Sequence, residues 1–109
     1  MGSFEATTAT GTGRVVVTLS GDCDLLVRDE LTAVLLAAVR TGEPVTVEVS
    51  RVGFLDSTGV HALVVAHHAA QERGGRLHVT GARGAVAAVL ELTGLDALLR
   101  DPAEENRHV

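Results

Sequence analysis

The chain of 109 residues contains no lysine, no tryptophan, no tyrosine and a single cysteine, Cys23. Each absence closes off a class of function. Only Phe4 and Phe54 are aromatic, so there is no platform on which single-stranded bases would stack. The nine basic residues are all arginines, spread along a chain of net charge −5, which argues against any nucleic-acid surface built from clustered cations. One cysteine can make neither an internal disulfide nor a Cys-based zinc site, and a reducing compartment follows. No run of about 18 apolar residues occurs, so no membrane insertion is expected. The opening "MGSFEATTATGTGR" lacks the basic and apolar regions of a signal peptide, and Ala6 stands where a myristoylation signal needs Ser or Thr. These absences describe a small, acidic, cytoplasmic domain.

Core material is plentiful: 46% of the residues are hydrophobic, nearly all of them Val, Leu and Ala. That suffices for one domain with one core and no staple. "FEATTAT" and "RVVVTLS" read as strands joined in a hairpin at Gly11-Thr12-Gly13. Gly21-Asp22-Cys23-Asp24 is then expected to break the second strand. From Arg28 the residues Leu31, Val34, Leu35, Ala38 and Val39 recur at helical steps until Gly42 and Pro44. Val45 to Ser50 alternates as a strand, with Thr46 and Glu48 on its second face. Helical spacing resumes with Val60, Leu63, Val64, Ala66, His67 and Ala70, stopped by Gly74-Gly75. "RLHVTG" is a further strand, and Ala85 to Thr93 a short helix closed by Gly94. "LDALLR" suits an edge strand or a 3₁₀ turn. Asp101-Pro102 followed by acids has the grammar of a helix start that frays.

Strands alternating with helices imply right-handed crossovers and a mostly parallel sheet. Function in such sheets sits beyond the carboxyl ends of the strands. Two acid-bearing elbows fall there, Asp22/Asp24 and Asp56/Ser57, about thirty positions apart in sequence.

Four readings compete for the second elbow, "FLDSTG". A serine hydrolase needs glycine on both sides of its nucleophile. Gly59 supplies one, but Leu55 occupies the other position, and no His follows in a loop that reaches back over the elbow. An aspartic protease shares the apolar-apolar-Asp-Ser pattern, but Thr58 spoils the turn and a helix follows. A phospho-accepting receiver domain would use Asp22, Asp24 and Asp56 around Mg²⁺, yet it balances that charge with a lysine this chain lacks. In the fourth reading Ser57 is itself the acceptor of phosphate from a partner kinase. Its hydroxyl would lie at a helix start near unpaired amide N–H groups, with a phosphate of about −2 charge favoured by the helix and opposed by Asp56. The plain structural alternative is that Asp56 or Ser57 simply caps the helix.

The other candidates are weaker. His61 and His68 lie two helical turns apart, roughly 10 Å, too far to share a metal. His67 and His68 are adjacent and diverge. "GARG" is explained by a strand-to-helix turn, and Cys23 by a small turn residue.

Taken together, "VVVTLSGDCD", "VTVEVSRVGFLDSTGVHAL", "GGRLHVTGA" and "VLELTGL" resemble the STAS domain of bacterial anti-sigma factor antagonists, from Phe4 to Leu99. The resemblance implies a single α/β domain over residues 4–100 with a short tail at 101–109. Its sheet would be mostly parallel or mixed, of four to five strands, with an N-terminal hairpin and helices packed on it. It implies a binding protein rather than an enzyme, needing no cofactor of its own. Ser57 would be phosphorylated by a GHKL-type anti-sigma factor that is also a serine kinase, and a serine phosphatase would reset it. The implied docking surface comprises Gly21, Asp22 and Asp24 with Asp56, Ser57, Thr58, Gly59 and Val60. Related domains also serve as non-phosphorylated subunits of lipid or anion transporters and of stress-signalling complexes. Two departures stand out: Leu25, Leu26 and Val27 follow Asp24 where small or polar residues are common, and the C-terminal helix is shortened after Pro102.

Overall fold

The computed structural model describes residues 3–100. Strands β1 (Glu5–Gly11) and β2 (Arg14–Cys23) form an antiparallel hairpin, turning at Gly13 with φ +75°. Helix α1 (Arg28–Arg40) leads to β3 (Val45–Leu55), and α2 (Ser57–Glu72) to β4 (Leu77–Thr80). The strands lie in the order β1-β2-β3-β4, with β2, β3 and β4 mutually parallel. Helices α3 (Gly84–Leu92) and α4 (Leu95–Leu98) complete the described chain.

Alternation decides which face is covered. Val15, Val17 and Leu19, Val45, Val47 and Val49, and Leu77 and Val79 are buried. Their neighbours Thr18, Ser20, Thr46, Glu48, Ser50 and Thr80 remain partly exposed on the other face. Right-handed crossovers that step in one direction along a sheet put successive helices on the same side. Accordingly Leu31 and Leu35 of α1, Leu63 and Ala66 of α2, and Val86 and Leu90 of α3 join one core with the strand valines. The void left there, about 10 Å³ among Leu19, Leu31, Leu63, Val86 and Leu90, is apolar and at the lower limit for one water. These core side chains leave no room for a ligand among them.

Three expectations need correction. β2 does not break at Gly21 but continues to Cys23, passing through Gly21 at φ +87°, where a side chain would also collide with the Ser3 backbone. β3 does not stop at Ser50 but runs to Leu55. Its register against β2 slips between Thr18 and Ser20 and again between Gly21 and Asp22, one extra β3 residue each time. Buried residues on β3 therefore step 45, 47, 49, 52, 55, each three-residue step marking a bulge. A reader of period-two alternation loses the strand where the first bulge begins. Finally, "LDALLR" forms α4 and not a fifth strand. The carbonyl of buried Leu99 reaches the outer edge of β4, accepting from Val79 N at 2.8 Å. The expected helix start at Asp101-Pro102 and the tail at 101–109 lie outside the described residues.

Candidate functional site

The parallel pairing of β2 with β3 brings the two elbows side by side. Asp22 is in register with Phe54 and Cys23 with Leu55, and Asp56 N donates to the Cys23 carbonyl at 3.3 Å. Each elbow is then held by its own acid. Asp24 Oδ1 accepts from Leu26 N at 3.1 Å and caps a 3₁₀ turn over Leu25–Val27. Asp56 Oδ1 accepts from Thr58 N at 2.9 Å and from Gly59 N at 3.1 Å, while its backbone carbonyl accepts from Val60 N at 2.9 Å.

These bonds decide between the two capping readings. Asp56 is the N-cap of α2, and Ser57 is the first helical residue, exposed, with no hydrogen-bond partner for its hydroxyl among the described residues. They also correct one expectation. The amides of Thr58 and Gly59 are not unpaired at Ser57, because the Asp56 carboxylate already occupies them.

Gly59 is needed for proximity. It is buried, and a Cβ there would stand 2.5 Å from Leu55 Cδ1 and 2.8 Å from the Cys23 carbonyl oxygen. The first turn of α2 thus rests directly on the ends of β2 and β3. Thr58 and Val60, on either side, are half-buried. Of the other residues singled out, Gly21, Asp22 and Asp24 are half-buried on the neighbouring strand end and turn.

The electrostatics argue against Cys23 as a nucleophile. Burial first, then the charges of Asp22, Asp24 and Asp56, push the Cys23 thiol up to about 11. His61 is exposed on α2. No three His, Cys, Asp or Glu side chains among the described residues come together as metal ligands.

Two groups escaped the sequence reading. His67, in the apolar spacing of α2, is buried, and among the described residues neither ring nitrogen makes a hydrogen bond of good geometry, although the Leu77 backbone acts on the ring. Burial, followed by His68 and His78, lowers its affinity for a proton, so it packs as the neutral ring. Its place in the apolar spacing of α2 was the available signal. Glu48 is the second. Its carboxylate accepts from Ser50 N at 2.7 Å and from Thr80 Oγ1 at 3.2 Å, tying β3 to β4 on the open face. Hydrogen bonding by the Ser50 side chain is the main cause holding it below the usual carboxylate range, with the Ser50 amide and Thr80 adding to it.

A four-stranded mixed sheet with its helices on one face, and a capped Asp-Ser-Thr-Gly elbow beyond the strand ends, define a small domain of the STAS class. The chain belongs to that family: the model described as "Mlab, STAS domain" matches residues 6–100. Solved structures agree. An anti-sigma factor antagonist from Mycobacterium paratuberculosis is 28% identical with a TM-score of 0.79, covering 89% of this chain and 83% of that one. The Bacillus cell fate determinant SpoIIAA in its phosphorylated form is 21% identical, with a TM-score of 0.68 and 96% of each chain covered. A sulfate transporter family protein from Wolinella succinogenes is 24% identical, with a TM-score of 0.70, covering 84% of this chain and 75% of that one. No curated protein matches the chain by sequence. No described helix is long and apolar enough to cross a membrane.

Proposed function

We propose that the protein is an anti-sigma factor antagonist operated by phosphorylation of Ser57, a cytoplasmic binding protein and not a catalyst. Unmodified, it binds a GHKL-type anti-sigma factor and so releases the sigma factor. That partner, also a serine kinase, moves the γ-phosphoryl group of ATP to Ser57 Oγ. ADP leaves, and the hydroxyl proton passes to a base on the kinase. The complex then dissociates, and a serine phosphatase hydrolyses the phosphoserine to reset the cycle. The docking surface in this reading is Gly21, Asp22, Asp24, Asp56, Ser57, Thr58, Gly59 and Val60.

One observation carries the reading: Ser57 offers an exposed hydroxyl while Asp56 holds the Thr58 and Gly59 amides of the first helical turn. A phosphate on Ser57 has no claim on those two donors and lies beside a carboxylate. It therefore leaves the helix start intact and stays a solvated dianion, which a closed interface without a counter-charge expels at a cost of several kcal/mol. The antagonist from Mycobacterium paratuberculosis and the phosphorylated Bacillus protein support the reading by likeness.

The test is incubation with each GHKL-type serine kinase of the same genome and ATP, followed by mass spectrometry of the elbow peptide. One phosphate on Ser57, abolished in Ser57→Ala, is the expected result. A second reading draws on the Wolinella succinogenes neighbour: a non-phosphorylated STAS subunit of a transporter complex. Binding to a transporter ATPase with no modification of Ser57 would favour it.

A further inference from the structure

Beside the elbow lies an apolar feature that the phosphorylation chemistry does not use. The 3₁₀ turn after Asp24 buries none of its residues: Leu25 is 61% and Leu26 93% exposed. Phe54, in register with Asp22, is 49% exposed on the same end of the sheet. A scattered leucine needs no explanation, but adjacent ones on a fixed turn form a patch. This turn is fixed, by Leu26 N donating to Asp24 Oδ1 at 3.1 Å and Val27 N to the Asp24 carbonyl at 3.1 Å. The leucines are held outward and have little rearrangement to undergo on binding.

The surrounding charge selects the occupant. Around the turn stand the acids Asp24, Asp29, Glu30 and Asp56, with Arg28 paired to Asp29 at 3.2 Å. Such a rim repels a second copy of itself, and it repels anionic lipid or nucleic acid. It favours a protein surface with arginines or lysines around an apolar cleft.

We propose that Leu25 and Leu26 are the apolar anchor by which this chain selects its kinase partner, seated in a cleft whose rim is cationic. The proposal rests on the reading of Ser57 given above and adds what decides which kinase is bound. Anchors of this kind act mainly on dissociation, and the charged rim on association and its salt dependence.

The test is a surface-binding titration against the purified GHKL-type serine kinase that phosphorylates Ser57. Leu26→Ser and the double variant Leu25→Ser/Leu26→Ser are compared with Leu92→Ser, an equally exposed leucine (88%) on α3. Leu26→Ser should bind at least about tenfold more weakly through faster release, and the double variant more weakly still. Leu92→Ser should stay within about twofold of wild type, with all thermal midpoints unchanged. Leucine variants that bind like wild type, or a Leu92→Ser that weakens equally, overturn the anchor. If Ser57→Asp loses binding in that experiment while the leucine variants keep it, the anchor fails and the phosphoswitch stands. If no such kinase binds the wild type, both fall.

Discussion

Asp56 and Ser57 are consecutive residues in different settings, one capping α2 and the other with a free-standing hydroxyl, and substitution should tell them apart. Ser57 makes no side-chain hydrogen bond among the described residues, so Ser57→Ala is expected to change stability by no more than about 0.5 kcal/mol. Asp56→Ala removes the acceptor of two helix amides and should cost about 1 kcal/mol, or about 4–8 °C in thermal midpoint. Equal midpoints for the two variants would show that the cap contributes nothing. Spacing alone could not divide these roles, since either residue suits a cap; the direction of the Asp56 carboxylate does. Cys23 gives a further expectation. With its thiol pushed up to about 11 and its side chain buried, it should resist iodoacetamide at about pH 8 in the native protein and react in urea. Rapid native alkylation would contradict the packing at the strand ends.

At the scale of elements, alternation made the hairpin, the first half of β3 and β4 legible, and helical steps did the same for α1, α2 and α3. The second half of β3 was hidden because two bulges replace the period of two with steps of three. The adjacency of the elbows was legible as a possibility, since parallel strands bring their carboxyl ends together. Gly59 has no signature in sequence; its reason is the contact of α2 with Cys23 and Leu55. Gly59→Ala should gain helix propensity yet lose about 1–3 kcal/mol to overpacking, a net loss readable as a lower urea midpoint. An unchanged or raised midpoint would mean that α2 lifts away freely. His67 ties α2 to pH. Its folded-state affinity for a proton is lowered, by burial above all, so the unfolded chain binds the proton more readily. Its contribution to stability is full above about pH 6.5 and is lost as pH falls through that value toward the lower folded-state one. The urea midpoint should drop between about pH 7.5 and pH 5.5 in wild type and less in His67→Leu. Equal slopes would assign that dependence to other groups; Glu48, also lowered, acts in the same sense but in a more acidic window.

For the molecule as a whole, the core holds only an apolar void of about 10 Å³, and the proposed docking surface lies at the strand ends. An acidic rim, two outward leucines and one uncommitted hydroxyl share that end of the domain. Dephosphorylated and phosphorylated protein should have the same fold and different partners, because the phosphate changes the charge of an interface and leaves the cap of α2 in place. The most direct measurement is a calorimetric titration of the cognate GHKL-type kinase with wild-type protein and with protein phosphorylated stoichiometrically on Ser57. Phosphorylation is expected to weaken binding by at least about a hundredfold, near 3 kcal/mol, with an unchanged thermal midpoint. Equal affinity for the two forms would contradict the switch.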